Sequence, residues 1–223
     1  MVPLVIATRN AHKVEEIRAI LGARFQCLTL RDFPSAPAVV EDADTFAGNA
    51  TKKAVELARW LQSPIPNPQS SILNSPAFVL ADDSGLEVDA LHGAPGVHSA
   101  RFAALDTGAD GNSTDAENNA KLLRLLRDVP LEKRVARFRC VLALTPLAGG
   151  GATELFDGAC EGRITFTPGG AKGFGYDPLF VPEGFTQSFA ELGEEVKNLI
   201  SHRAKALEKL RAHLRGSTAQ KTT

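Results

Sequence analysis

Along the chain, short apolar runs of strand length alternate with stretches in which apolar residues recur every three or four positions. The first run extends from Val2 to Ala7 and is typical of a buried strand. From Asn10 to Gly22 the apolar residues follow helical spacing, with Asn10 suited to the N-cap and Gly22 to the residue after the last turn. The sequence therefore predicts an opening strand, a tight turn and a helix.

The remaining pattern predicts the same two kinds of element. Thr45 is suited to the N-cap of a helix that reaches about Leu61, and a capping box at Thr114 starts another helix that ends before Pro130. An apolar stripe predicts one last helix, from Glu194 to Leu214. Apolar or alternating runs predict strands at 25–30, 78–81, 134–145 and 153–166, the last two forming a hairpin or meander.

Two adjacent carboxylates, Asp82 and Asp83, interrupt the apolar pattern directly after residues 78–81. We expect the strand to end there, and a short one to follow at Leu86 to Leu91. Buried carboxylates are costly unless a metal or a donor compensates them, and Mg²⁺ usually takes one or two carboxylates plus phosphate oxygens. A polar turn is the better explanation of an isolated Asp-Asp-Ser-Gly. Here a Gly/Pro-rich loop with Arg101 follows, and this favours a ligand site.

The turn before the first helix is a candidate anion site. The backbone N–H groups of Ala11, His12 and Lys13 have no partner within the helix, and Lys13 adds a positive charge. Most turns of this kind bind nothing, however, and a lysine in a first helical turn is usually solvated.

A glycine-rich segment, residues 169–180, is a second candidate. Four glycines within seven residues allow a ligand to approach the backbone closely. Phe174 and Tyr176 can stack on a base, and Asp177 can accept hydrogen bonds from ring N–H groups. The alternative is a β-turn whose aromatic residues face the core.

The last predicted helix carries two cations and a histidine near its N-terminal half. Lys197 and Ser201 share a face, and His202 and Arg203 turn beside it. A lone histidine such as His202 is more often a half-exposed helix residue than a catalyst. The chain lacks a Walker A pattern, which excludes P-loop chemistry.

Composition narrows the classes of function. The 25 Lys and Arg residues against 26 Asp and Glu give a net charge of -1, so no overall basic field favours nucleic-acid binding. Three cysteines without CxxC spacing are typical of a reducing cytosol. The N-terminal apolar run is too short for a signal peptide or a membrane span. We therefore expect a cytoplasmic protein that binds neither nucleic acid nor membrane.

Four separated segments resemble motifs of the inosine triphosphate pyrophosphatase family, and they occur in the family's order. They are Thr8-x-Asn10-x-x-Lys13, ADDSGLEVDALHGAPGVHSARFA at 81–103, GFGYDPLF at 173–180, and KNLISHRA at 197–204. The resemblance implies an α/β fold: an elongated mixed β-sheet with flanking helices in two lobes, and the nucleotide site in the cleft between them. It also implies one domain over residues 1–215 and a homodimer. Residues 216–223 are predicted to be a disordered tail, and residues 63–76 a surface insertion without a catalytic role.

The resemblance also assigns roles to individual residues. Mg²⁺ is held by Asp83 and Glu41 with Asp82 in support, and Asp83 is the proton acceptor, directly or through a metal-bound water. Lys13 and Lys197 stabilise charge on the leaving pyrophosphate, and Arg203 or a backbone N–H pairs with O6 of the base. Asn49 and Lys53 match the family pattern without an assigned role. The predicted substrate-binding residues are Thr8, Asn10, Ala11, His12, Lys13, Ser84, Phe174, Gly175, Tyr176, Asp177, Lys197, His202 and Arg203.

The predicted function is Mg²⁺-dependent hydrolysis of the non-canonical purine nucleoside triphosphates dITP, ITP and XTP to the monophosphate and pyrophosphate. One alternative is a nucleotide pyrophosphatase with another base preference, such as the Maf-type enzymes. The other alternative is a non-catalytic nucleotide sensor. A sensor would be expected to have a damaged acidic set, whereas Glu41, Asp82 and Asp83 are all present.

Overall fold

A computed structural model describes residues 2–63, 77–148 and 150–219 of the chain. Within these ranges, six strands form one sheet in the order β2-β1-β3-β4-β5-β6. The strands are β1 (Val2–Ile6), β2 (Phe25–Thr29), β3 (Phe78–Val88), β4 (Val135–Pro146), β5 (Glu154–Ile164) and β6 (Phe180–Pro182). The α-helices are α1 (Ala11–Leu21), α2 (Phe46–Gln62), α3 (Asp115–Leu125), α4 (Phe189–Ile200) and α5 (His202–Ala219).

The sheet is mixed, as its strand pairings show. β1 pairs in parallel with both β2 and β3, in the second case from Leu4↔Phe78 to Ile6↔Leu80. β5 and β6 pair antiparallel. Parallel neighbours require crossover connections, and α1 and α2 lie in the chain between the parallel strands. The predicted class, α/β with a mixed sheet and flanking helices, is confirmed. No helix in the described ranges has the length and apolar character needed to cross a membrane.

The chain divides into two compact units. Unit 1 comprises Met1–Asp83, Val141–Asp157 and Ala206–Thr223, and unit 2 comprises Ser84–Cys140 and Gly158–Lys205. The core of unit 1 contains the fully buried β1 residues Leu4, Val5 and Ile6. The core of unit 2 is built from Leu86, Val88, Phe102, Leu122, Leu126, Ala136, Phe138, Cys160, Ile164, Tyr176, Leu179, Phe180 and Phe189.

Side-chain caps fix the helix starts as the sequence predicts. The Asn10 side chain accepts a hydrogen bond from the N–H of Lys13 at the start of α1. Thr45 accepts one from Gly48 at the start of α2, and the capping box at Thr114 is complete. Each cap satisfies a backbone donor that has no partner within its helix.

The central strand does not end at the acidic pair, so that prediction is wrong. β3 runs without a break from Phe78 through Asp82 and Asp83 to Val88. The strand can continue because lysine side chains meet both carboxylates, and because Gly85 allows residues 96–99 to pack against it. Polar side chains alone therefore do not end a strand when each has a partner.

The prediction of a single last helix is also wrong, because this part of the chain forms two helices, α4 and α5. Ser201 has extended backbone angles (φ −67°, ψ 162°), and its hydroxyl accepts a hydrogen bond from the N–H of Ala204 at the start of α5. Within α4, Gly193 has a positive φ of 78°. Both segments carry apolar residues at helical spacing, so the apolar stripe alone could not reveal the break.

Helix α5 extends to Ala219 and so includes residues 216–219 of the predicted tail. Residues 220–223 lie outside the described residues. Of the predicted insertion, Ser63 is the C-cap of α2, and residues 64–76 lie outside the described residues.

Gly85→Ala should destabilise the protein by about 1–3 kcal/mol, because a Cβ at this position would overlap the Ser99 hydroxyl and the Gly96 carbonyl oxygen. Denaturant unfolding measures the loss. Ser99→Ala removes the nearest of the two oxygens, so the double variant should lose less stability than the sum of the single variants. Strict additivity would contradict this packing argument.

Candidate functional site

The N-terminal turn in unit 1 brings a lysine onto the buried acidic strand. Lys13 lies in the first turn of α1, and its Nζ is 2.5 Å from Oδ1 of Asp82, whose side chain is fully buried. The turn is held by two further bonds: the Asn10 N–H donates to Thr8 Oγ1, and the Lys13 N–H donates to Asn10 Oδ1. Of the other residues predicted here, Ala11 begins α1 and His12 follows it on the exposed surface.

A second lysine of unit 1 joins two further carboxylates of the predicted site. Lys53 Nζ donates to Glu41 Oε2 at 2.8 Å and to Asp83 Oδ1 at 2.9 Å. The Lys53 and Asp83 side chains are 11% and 8% exposed, so water screens the bond between them little, whereas Glu41 is exposed and its bond to Lys53 is screened more. Two acidic side chains and one lysine of unit 1 therefore form a compact cluster.

Asn49 fixes the position of Asp83 within this cluster. Its Nδ2 donates to Asp83 Oδ2 at 3.3 Å and to the carbonyl oxygen of Ala43, and its Oδ1 accepts from the Ala43 N–H. The side chain is buried and is therefore held in one orientation. The predicted site omits Asn49 and Lys53, although their i, i+4 spacing placed both on one face of a predicted helix.

Burial raises the pKa of Asp83 to about 6, even though Lys53 and Lys13 act in the opposite direction. A hydrogen bond with Glu41 adds to the increase. Burial also acts to raise the pKa of Glu41, but the charge and hydrogen bond of Lys53 outweigh it and hold that pKa below its usual value. The two carboxyl groups thus lie close enough to share a proton.

A pair of carboxyl groups that can share one proton can instead share a divalent cation. Glu41 and Asp83 fit such an ion, since Mg²⁺ commonly takes one or two protein carboxylates and completes its shell with phosphate oxygens and water. Asp82 is held by Lys13. Among the described residues, no group of three acidic, histidine or cysteine side chains is arranged around one metal position.

The same N-terminal turn borders a cavity of about 500 Å³ within unit 1. Three arginines and one glutamate give its lining a net positive charge. The lining residues are Thr8, Arg9, Ala11, Val14, Glu15, Arg18, Thr29, Leu30, Arg31 and Pro34.

In unit 2, the glycine-rich loop is built around a buried ion pair. Lys197 Nζ is 2.5 Å from Asp177 Oδ2, and both side chains are almost fully buried. Asp177 Oδ2 also accepts from the Phe174 N–H at 2.9 Å. The Lys197 ammonium lies 4.3 Å from the centre of the Phe174 ring, which is a cation–π contact. Gly173 has φ 78°, and a Cβ there would collide with the Asp177 carboxylate.

The two aromatic residues of this loop have different environments. Tyr176 is 4% exposed, belongs to the core of unit 2 and donates its hydroxyl hydrogen to the carbonyl oxygen of Ser99 at 2.8 Å. Burial raises the pKa of its phenol. Phe174 is only partly buried. The core alternative therefore applies to Tyr176, whereas Phe174 is the aromatic residue of the loop that keeps partial exposure.

The last predicted group lies on both sides of the break at Ser201. Lys197 belongs to α4, whereas His202 and Arg203 begin α5. Arg203 is 1% exposed, and its Nη2 donates to Ser84 Oγ at 2.9 Å. The His202 ring stacks on Phe138, with ring centres 4.9 Å apart and planes 14° apart.

The predicted site residues therefore form two sets. In unit 1 the structure brings Lys13 to Asp82, and Glu41 to Asp83. In unit 2 it joins Asp177 and Phe174 to Lys197, and Ser84 to Arg203. The two sets adjoin in the chain at Asp83 and Ser84, which are consecutive residues of β3.

The fold is α/β with a mixed sheet, and a sequence model of the Ham1 family matches residues 4–213 of the chain. The chain belongs to the Ham1 family, and the family prediction made from the sequence is confirmed.

Relatives and solved structures agree with this assignment. The dITP/XTP pyrophosphatases of Opitutus terrae and Geobacillus kaustophilus are 47% and 48% identical over 214 and 211 residues. These matches cover 93% and 94% of this chain and 96% and 93% of the relatives. The Staphylococcus aureus Ham1 protein superposes with a TM-score of 0.78 at 33% identity, over 96% of this chain and 99% of that one. The Coxiella burnetii HAM1 protein gives 0.77 at 36% identity, over 97% and 100%.

Asp83→Asn should stabilise the metal-free protein at pH 8 by roughly 1–3 kcal/mol. The folded pKa of about 6 lies above the ordinary value of 3.8, so folding disfavours the charged carboxylate above pH 6. The gain should shrink as the pH falls through 6 and should vanish below about 4, where both states are protonated. Urea unfolding in the presence of a chelator measures it at each pH.

The matched control is Asp110→Asn, which changes an exposed acid in the same way and should leave stability nearly constant across this pH range. If Asp83→Asn lost stability at pH 8, the burial argument would be wrong.

Proposed function

We propose that this chain hydrolyses dITP, ITP and XTP to the corresponding nucleoside monophosphate and pyrophosphate, and so removes non-canonical purine nucleotides. The observation that carries the proposal is the cluster of Glu41, Lys53 and Asp83, in which Asp83 is buried, beside the Lys13–Asp82 pair. It combines a carboxylate pair for a cation with two ammonium groups for phosphate oxygens. The proteins named dITP/XTP pyrophosphatase among the relatives support the choice of substrates.

The cofactor we propose is Mg²⁺, held by Glu41 and Asp83. When bound, it supplies positive charge that neutralises the phosphate oxygens and lowers the pKa of water. Asp82 keeps its partner Lys13 in place and contributes negative charge nearby. This assignment follows the chemistry of the donor set, since paired carboxylates suit a hard divalent cation.

The reaction needs an acceptor for one proton and a counter-charge for the leaving group. A water oxygen attacks the α-phosphorus, the bond from that phosphorus to the bridging oxygen breaks, and pyrophosphate leaves. The proton of the attacking water passes to Asp83, whose pKa near 6 suits a base that works near neutral pH. Lys13 and Lys53 provide N–H donors for the charge that develops on the phosphate oxygens.

We assign recognition of the base to unit 2. Phe174 is partly exposed and is the proposed aromatic residue for stacking on a purine, and Asp177 is the proposed acceptor for a ring N–H. Arg203, oriented by Ser84, is the proposed donor to the 6-oxo group. Adenine carries an amino group at C6 and would leave this donor without an acceptor, which disfavours ATP. Lys197 holds Asp177 and faces the Phe174 ring, and its predicted contact with the pyrophosphate stays a prediction.

The remaining parts of the proposal concern the setting of the enzyme. We propose that the chain acts in the cytoplasm as a homodimer, on the strength of the family resemblance. The net charge of -1 argues against nucleic acid as a partner. Sedimentation of the purified protein measures the dimer directly, and a monomer throughout the micromolar range would contradict it.

The substrate prediction is tested by pyrophosphate release from dITP, ITP, XTP, GTP and ATP in the presence of Mg²⁺. We expect turnover of the first three and at least about 100-fold less for ATP. Asp83→Asn should lower kcat by about 100-fold or more, since it removes the base and a cation ligand. Asp42→Asn, which changes an exposed carboxylate next to Glu41, is the matched control and should leave kcat unchanged.

The outcomes of this assay separate the alternatives. Binding without turnover would identify a nucleotide sensor, and turnover of modified pyrimidine triphosphates alone would favour a Maf-type activity. If Asp83→Asn retained full kcat, the role of Asp83 would be wrong whatever the substrate.

Phe174→Leu should raise KM for dITP by about tenfold or more with little change in kcat, because stacking on an aromatic ring contributes about 1–3 kcal/mol per base. Phe166→Leu changes a 53% exposed phenylalanine in the same unit and is the matched control. Equal effects of the two substitutions would remove Phe174 from the base site.

A further inference from the structure

In the loop that carries Phe174, side chains form hydrogen bonds with the two peptide groups that flank Gly175. The Gly175 N–H donates to Asp115 Oδ2 at 2.6 Å. The Gly175 carbonyl oxygen accepts from Asn119 Nδ2 at 2.9 Å. Gly175 has φ 62°, a conformation that residues with side chains seldom adopt. Two side chains from α3 therefore hold the loop at a glycine with a left-handed backbone conformation.

Helix α3 is held in place by its cap and by its packing, so it can position the loop to which its side chains bind. Its N-terminus has the complete Thr114–Glu117 capping box. Asn118 donates to the Ala100 carbonyl oxygen and accepts from the Ala103 N–H, and Leu122 is fully buried in the core of unit 2. Asp115 and Asn119 lie four residues apart and therefore project from one face.

One polar atom of Asn119 indicates that stability alone does not explain the presence of this residue. Its Oδ1 is buried and has no hydrogen-bond partner among the residues that the structure describes. A buried acceptor without a partner lowers stability, typically by about 1–3 kcal/mol. An apolar side chain of similar size would avoid that penalty, but it would lose the bond to Gly175.

We propose that Asp115 and Asn119 are positioning residues for the base site, holding the two peptide groups of Gly175 so that Phe174 and Asp177 keep the geometry that recognises the purine. The role of the loop in base recognition rests on the proposed function, whereas the hydrogen bonds of Asp115 and Asn119 to Gly175 do not. By the clamp we mean Asp115, Asn119 and Gly175. Neither side chain is assigned a contact with the substrate.

The clamp acts on binding, so its loss should appear in KM. Without it, the loop populates other conformations, and a nucleotide must select the competent one. We expect Asp115→Ala and Asn119→Leu each to raise KM for dITP by about tenfold, and kcat to change less than twofold. The penalty should be common to dITP, ITP and XTP, because it falls on the shared loop geometry.

Two further variants distinguish loss of the contacts to Gly175 from a general loss of stability in α3. Asp115→Asn retains an oxygen that can accept from Gly175, so it should restore most of the lost affinity. Glu117→Ala breaks the capping box of the same helix turn without touching Gly175, so it should lower stability and leave KM unchanged. Asn119→Leu should behave in the opposite way, with stability equal to or above that of the parent protein and KM raised.

A spectroscopic test needs no turnover. The chain contains one tyrosine, Tyr176, which is next to Gly175. Incorporation of fluorotyrosine therefore gives a single ¹⁹F resonance that reports on this loop. We expect one sharp line in the parent protein and in Glu117→Ala, and a shifted or exchange-broadened line in Asp115→Ala and Asn119→Leu.

The outcomes are distinct from those of the substrate assay. A changed ¹⁹F line together with raised KM supports the proposal. A changed line with normal KM overturns the positioning role while leaving the clamp. An unchanged line in Asp115→Ala, or a KM effect that Glu117→Ala reproduces, overturns the clamp itself. If the parent protein hydrolyses none of the nucleotides, the proposed function fails, and the ¹⁹F lines still decide whether the clamp exists.

Discussion

Two adjacent carboxylates buried in an unbroken strand are the constraint on which the rest of the candidate site depends. Taking Asp82 and Asp83 out of water costs free energy that hydrophobic packing cannot return, so each must meet a cation. Lys13 and Lys53 meet that need, and Asn49 holds Asp83 between them. Two adjacent aspartates within one strand are thus tolerated because two helices place lysines beside them. That arrangement supplies the charges that phosphate chemistry requires.

Unit 2 also contains a buried carboxylate that is paired with a lysine, but the pair has a different role. The Asp177–Lys197 pair is more deeply buried, and its members also hold the Phe174 backbone and face its ring. Here the ion pair shapes a loop, whereas in unit 1 burial leaves Asp83 with a raised pKa. In unit 1 the raised pKa lets Asp83 take up a proton near neutral pH. In unit 2 the buried ion pair fixes the shape of the loop.

Much of the fold followed from local patterns, because helix caps and apolar runs act over a few residues. Asn10, Thr45 and Thr114 marked helix starts correctly. The errors arose where partners distant in the chain decide the outcome. Lys13 and Lys53 allow β3 to pass through Asp82 and Asp83, and the hydroxyl of Ser201 starts a new helix inside one apolar stripe. Motif resemblance named most candidate residues, but only the tertiary structure showed that Tyr176 faces the core.

The boundary between the two units falls within β3, between Asp83 and Ser84, and the chain crosses it again near residues 140, 157 and 205. Neither unit is therefore a continuous piece of sequence. A cut at the boundary at residues 83/84, 140/141 or 157/158 would divide a strand, because these boundaries fall within β3, β4 and β5. The residues that we propose for base recognition and for phosphate chemistry therefore lie on interleaved segments of one chain, and no single cut separates the two sets.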